Sequence, residues 1–152
     1  ATIKEVKHAV NLVKRLKKNN PILLHCISNY PTPYNQCNLK AIETIKDTTG
    51  CHVGWSDHSV NEAVILRAIN RWGAEFIEFH FDLDSQGFEY KLGHCWLPEQ
   101  IKGLISKVEE GLAADGNGFK NPLIIEQQER DWRADPSDGL RPMIKIRKEW
   151  NP

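Results

Sequence analysis

"HVGWSDHSVNEAV" (His52–Val64) and "AEFIEFHF" (Ala74–Phe81) decide how this sequence is read. Both hold a short, nearly apolar run that reads as a buried strand. Each run ends at a histidine with a polar residue two positions before it: Ser56 before His58, and Glu78 before His80. Side chains alternate along a strand, so residues two apart share a face. Gly54, Ser56 and His58 therefore share one face of the later-numbered middle strand, and Val53, Trp55 and Asp57 share the other. Phe76, Glu78 and His80 share a face of the next strand, while Ile77, Phe79 and Phe81 point the opposite way, toward covering helices. An earlier run, "ILLHCIS" (Ile22–Ser28), reads as a first strand that puts Cys26, Ser28 and Tyr30 on one face.

Helical spacing fills the gaps between these strands. In "TIKEVKHAVNLVKRLKK" (residues 2–18) the apolar positions Ile3, Val6, Val10, Val13 and Leu16 recur at helical intervals. Thr2 is the expected N-cap and Glu5 completes a capping box. Asn19, Asn20 and Pro21 stop the helix, and the basic residues Lys14, Arg15, Lys17 and Lys18 complement its carboxyl-terminal dipole. The two prolines of "NYPTPYNQ" fix a loop. Asn38 is expected to cap a second helix that ends at Gly50. Ser59 or Asn61 caps a third, which runs to Trp72 and stops at Gly73. "DLDSQGFEYKLGHCWL" (residues 82–97) reads as a polar loop, and Pro98 fits the first turn of a last helix over about 98–114. The tail, 115–152, is expected to be mostly irregular. Helices alternating with apolar strands predict an α/β fold with a parallel sheet.

Bulk composition narrows the partners. Twenty basic and 20 acidic residues balance at pI about 7.2. No strong field draws nucleic acid or an anionic membrane to this chain. No apolar run approaches the roughly 20 residues a membrane span needs, and no signal peptide is expected. Cys26, Cys37, Cys51 and Cys95 form no CxxC pair, so reduced thiols in the cytoplasm are the expectation. The sequence begins ATIKEV with a single methionine, Met143; a processed terminus and a piece of a longer chain both fit.

The polar pairs fall at the carboxyl ends of the strands, where α/β folds bind ligands. Neighbouring strands lie about 5 Å apart, close enough for His58 and His80 to converge on one divalent cation. Two imidazoles beside a carboxylate suit Mn, Fe, Zn or Co, and such an ion with open positions polarises a carbonyl. The competing reading makes each histidine a satisfied strand-end residue. Glu78, set in an apolar run, is either an acid/base or orienting group or half of a structural ion pair. A zinc site of His94 and Cys95 with Cys26 is disfavoured, because the spacing is not a standard one.

"LLHCISNYPTPYNQCNLKAIETIK" (residues 23–46), "VGWSDHS" (53–59) and "IEFHFDLD" (77–84) resemble the sialic acid synthase family, the phosphoenolpyruvate-dependent N-acetylneuraminate synthases. The resemblance covers about residues 2–112 in order and spacing. It implies a partial (β/α)8 TIM-type barrel, strands six to eight, and the condensation of phosphoenolpyruvate with the aldehyde of an N-acylated amino sugar, releasing phosphate. By the same resemblance His58 and His80 match the two histidine ligands of a divalent metal, usually manganese. Ser28 and Ser56 match positions that contact the phosphoenolpyruvate phosphate, Tyr30 matches a sugar-site tyrosine, and Glu78 matches an acid that transfers a proton or orients substrate. Glu89, in "GFEYKLGHCWLP" (87–98), stands near the family's sugar-binding Asp. That segment departs from the familiar GPDH pattern, Ser59 replaces the usual Thr, and Phe79 replaces a frequent basic residue.

A whole barrel takes about 250 residues. Strands six to eight alone leave both sheet edges open and lack the lysines and carboxylates of the family's first half-barrel. The expectation is an inactive or nearly inactive isolated chain that needs the amino-terminal half-barrel or an oligomer. The alternative is a non-catalytic metal or sugar-phosphate binding module.

Overall fold

The structure, a computed structural model, describes residues 1–17 and 19–150; Lys18 of the expected basic cluster lies outside them. The chain divides into two compact units, Ala1–Ala114 and Asp115–Pro152. The first contains helix α1 (Ile3–Lys17), strand β1 (Leu23–Cys26), α2 (Ala41–Thr49), β2 (Val53–Asp57), α3 (Glu62–Trp72), β3 (Ile77–Phe81), α4 (Phe88–Lys91), β4 (Cys95–Trp96) and α5 (Pro98–Ala114).

The helix ends follow local chemistry. Thr2 N–H donates to Glu5 Oε2 at 2.6 Å and Glu5 N–H donates back to Thr2 Oγ1 at 3.4 Å, the reciprocal capping box. Asn61 Oδ1 accepts from Ala63 N–H at 3.0 Å and caps α3. Gly50 and Gly73 close α2 and α3 at φ 64° and 66°, left-handed values that a Cβ disfavours. Asn38 does not cap α2. It sits at φ 47° and offers its backbone carbonyl to Ala41 N–H, while Lys40 takes the cap position without a side-chain bond.

The four strands are parallel and ordered β1-β2-β3-β4. Trp55 pairs with His25 on one side and Ile77 on the other; Ser56 pairs with Cys26 and Glu78; His80 pairs with Cys95. The core forms where the helices cover one face. Ile42, Val53, Trp55, Ile65, Ala68 and Trp96 are all buried there. The opposite face stays open: Leu24, Cys26, Phe76 and Glu78 are exposed. Gly54 lies on that face between neighbours. A Cβ there would meet the Phe76 carbonyl oxygen at 2.3 Å and Leu24 Cδ2 at 2.7 Å, so only glycine lets the strands close.

Residues 82–97 are not simply a loop. Asp82 builds a turn: Oδ1 accepts from Asp84 N–H at 3.1 Å and Ser85 N–H at 2.8 Å, and Oδ2 accepts from Gly87 N–H at 3.0 Å. The turn leads into α4 and returns as β4, which adds a fourth strand to the sheet. Phe81, expected on the packed face, is half exposed at the end of β3.

In the second unit, Asp115–Pro152, short elements interrupt mostly irregular chain. It contains a 3-10 turn (Ile124–Glu126), α6 (Gln127–Asp131) and α7 (Ile144–Trp150). Asp135 accepts from Ser137 N–H at 2.9 Å and from Ile144 N–H at 2.8 Å, tying the connecting loop to the start of α7. Arg147 donates to both carboxylate oxygens of Asp138, at 2.8 and 2.7 Å. The Trp132 and Trp150 rings pack 5.7 Å apart.

Candidate active site

Four rings gather at the carboxyl ends of the strands. His58 immediately follows β2, His80 lies on β3, and His94 immediately precedes β4. The His58 and His80 centroids are 5.1 Å apart, and those of His80 and His94 are 4.9 Å apart. Tyr30, from the loop after β1, packs against all three, at 4.2 Å from His58, 5.8 Å from His80 and 5.0 Å from His94. Parallel pairing places the strand ends side by side, so the convergence follows from the topology.

Hydrogen bonds set the tautomers. His58 Nδ1 is 2.8 Å from the Ile27 carbonyl oxygen, which can only accept. Nδ1 therefore carries the proton, and Nε2 keeps its lone pair. His80 Nδ1 is 2.9 Å from Glu89 Oε2, and the same reasoning leaves its Nε2 free. An imidazole that donates one N–H to a carbonyl or carboxylate, with the other nitrogen free, is the arrangement found behind metal-bound histidines. The donor set thus fits a divalent cation.

The other expected residues separate into groups. Ser56 donates to Glu78 Oε2 at 2.6 Å across the β2–β3 pair. Glu78 is exposed on the open face of the sheet. This corrects the expectation of a buried acid, which rested on apolar neighbours that point to the other side. Glu89, on α4, reaches His80 through the 2.9 Å bond to Nδ1. Ser28 is exposed and lines a cavity of about 610 Å³ between α1, β1 and α2, which also includes Cys26, Asn38 and Lys40. Cys26 Sγ lies 4.0 Å from His58 Nδ1.

His94 and Cys95 were not assigned to this site from sequence. Both are buried, and both approach Glu89 rather than Cys26: His94 Nε2 lies 3.9 Å and Cys95 Sγ 4.0 Å from Glu89 Oε2. Burial, then the nearby His80, lowers the pKa of His94 below the ordinary histidine value, although Glu89 opposes this. The His80 hydrogen bond holds Glu89 below the usual carboxylate range. Burial, followed by the Glu89 and Asp82 charges, pushes the Cys95 thiol up.

Asp57 is the residue behind the site that sequence reading passed over. Fully buried, its carboxylate accepts four hydrogen bonds: from Trp55 Nε1 at 3.0 Å, Trp96 Nε1 at 3.0 Å, Ser59 Oγ at 2.6 Å and Val60 N–H at 3.0 Å. It fixes the chain on either side of His58. Its position, one residue before that histidine and facing the core, was legible; the partner Trp96, 39 positions away, was not.

The chain is an α/β protein whose parallel sheet carries imidazoles and carboxylates at its carboxyl edge, the end at which such folds bind ligands. The profile of the NeuB family matches residues 1–120, and the chain belongs to that family. N,N'-diacetyllegionaminic acid synthase of Campylobacter jejuni is 35% identical over 132 residues, which are 84% of this chain and 39% of the relative. The crystal structure of an N-acetylneuraminic acid (sialic acid) synthetase from Leptospira borgpetersenii, in complex with citrate, superposes with a TM-score of 0.66 at 35% identity. It covers 85% of this chain and 45% of that one. A spore coat polysaccharide biosynthesis protein of Bacillus subtilis superposes with a TM-score of 0.64 at 27% identity, over 88% of this chain and 41% of that one. The chain thus spans less than half the length of each of these proteins.

Proposed function

We propose that this chain forms strands six to eight of a sialic acid synthase-type barrel and carries the cation end of its active site. The reaction is condensation of phosphoenolpyruvate with the aldehyde of an N-acylated amino sugar, with release of phosphate. The observation that carries the reading is the pairing of His58 and His80, whose Nδ1 protons are engaged and whose Nε2 lone pairs are free. Those two nitrogens would hold a divalent metal, manganese by family resemblance, which supplies Lewis-acid polarisation of the sugar aldehyde. Tyr30, packed against both rings, walls the site and offers its hydroxyl to the sugar. Glu78, oriented by the Ser56 hydroxyl, moves or holds a proton at the reacting centre.

The named synthases among the relatives support a nonulosonic-acid-type product, and their different sugars leave the particular N-acyl amino sugar to the loop around Glu89. The open outer edge of β1 and the exposed face that bears Leu24 and Phe76 favour completion by an amino-terminal half-barrel. Among the described residues no helix is long and apolar enough to cross a membrane; the work proposed belongs in the cytoplasm.

The test is phosphate release from phosphoenolpyruvate with N-acetylmannosamine, or with a di-acetamido deoxysugar, with and without a co-expressed amino-terminal half. Turnover only with both halves supports the proposal. Metal binding without turnover in the reconstituted pair would favour a non-catalytic binding module.

A further inference from the structure

His94 is the most poorly satisfied polar side chain near the rim. It is 3% exposed, Nδ1 has no hydrogen-bond partner, and Nε2 lies beyond hydrogen-bond reach of Glu89 Oε2. The nitrogen that faces Glu89 is Nε2, so it is Nε2 that the buried ring offers to the neighbouring groups. Ligand atoms of His80, Glu89, His94 and Cys95 all lie within 4.8 Å of one another. Atoms around a tetrahedral zinc stand about 3.5 Å apart, given bond lengths of roughly 2.0–2.3 Å. Small side-chain adjustments therefore close the group on a cation.

We infer that His80, Glu89, His94 and Cys95 form a second cation site, which shares His80 with the His58/His80 pair and is selective for zinc-like ions. Two imidazoles, a thiolate and a carboxylate are softer than an oxygen-rich set, so Zn2+ and Co2+ are preferred over Mn2+ and Mg2+. On ligation the Cys95 thiol releases its proton to solvent and Sγ binds as thiolate, while the His80 Nδ1 proton passes to Nε2 so that Nδ1 has a lone pair to offer. Loading also displaces the hydrogen bond from His80 Nδ1 to Glu89, the bond that orients the ring toward His58. Zinc at this site thus competes with the arrangement that the proposed reaction needs. The inference goes beyond that reaction, whose cation requires only His58 and His80.

The test is a Co2+ titration of the chain followed by absorption, with Zn2+ as competitor. The expected result is a near-ultraviolet thiolate-to-cobalt charge-transfer band that Zn2+ abolishes. Cys95→Ser should remove the band, Glu89→Gln and His94→Gln should weaken Co2+ binding about 10-fold or more, and His58→Ala should leave the band intact. Glu89 is exposed, so Glu89→Gln remains informative even if the buried substitutions fail to fold, a failure that circular dichroism would reveal. Absence of the band in the wild type, its survival in Cys95→Ser, or unchanged binding in Glu89→Gln would overturn the inference. Loss of Mn2+ binding in His58→Ala concerns the proposed function alone.

Discussion

The indole Nε1 of Trp96 donates to Asp57 Oδ2 at 3.0 Å, although Trp96 stands on β4 and Asp57 on β2 with β3 between them. This bond anchors a two-residue strand that has little pairing of its own. Asp57→Ala strands two buried indole N–H groups and opens a void, and is expected to cost about 3 kcal/mol. Trp96→Phe keeps most of the packing and removes one donor, for a cost of about 1–2 kcal/mol. Urea unfolding of the two variants measures both, and near-equal losses would contradict this division of roles.

Gly54→Ala places a methyl group against the Phe76 carbonyl oxygen, backbone that cannot swing aside. The expected outcome is destabilisation of about 1–3 kcal/mol, seen as a lower urea midpoint with an unchanged slope. A neutral substitution would mean that β2 and β3 sit farther apart than described.

The pH dependence follows from His25 and His94. Burial lowers the pKa of both, with the Cys37 carbonyl opposing it at His25. The unfolded chain therefore binds more protons just below the ordinary histidine value of about 6.5. Stability is present above that value and declines as pH falls from about 6.5 toward the lowered native values. A second loss belongs to Asp135, held at about 2 by its Ser137 and Ile144 hydrogen bonds; its contribution is present above 3.8 and fades as pH falls toward 2. Thermal melts across pH 4–7 test the first window, roughly the span in which histidines titrate. His94→Gln should flatten the decline, and an unaltered profile would contradict the assignment.

Glu78 and the metal pair are separable. Glu78→Gln keeps the Ser56 contact and removes a proton acceptor, so manganese affinity should be unchanged. In the reconstituted enzyme kcat should fall by about 100-fold or more. A variant with altered metal affinity and normal kcat would place Glu78 at the cation instead.

Much of this was legible in the sequence, for physical reasons. Period-two alternation put Ser56 with His58 and Glu78 with His80, and the parallel register sets Ser56 opposite Glu78. Capping chemistry located the ends of α1 and α3. What escaped was held by long-range or aperiodic contacts. β4 has two residues and no readable period; its place depends on Trp96 reaching Asp57. α4 and Glu89 reach His80 through the Asp82 turn, built from side-chain-to-backbone bonds that leave no hydrophobic pattern. Exposure of Glu78 could not be read from its apolar neighbours, because the open sheet face depends on which elements cover it.

The central claim is that His58 and His80 together hold one divalent cation. Electron paramagnetic resonance titration of Mn2+ against the wild type, His58→Ala and His80→Ala tests it most directly. The account predicts one bound Mn2+ per chain in the wild type and affinity weakened about 10-fold or more in each single variant, with the double variant little worse than either. Wild-type affinity retained in both single variants would contradict it.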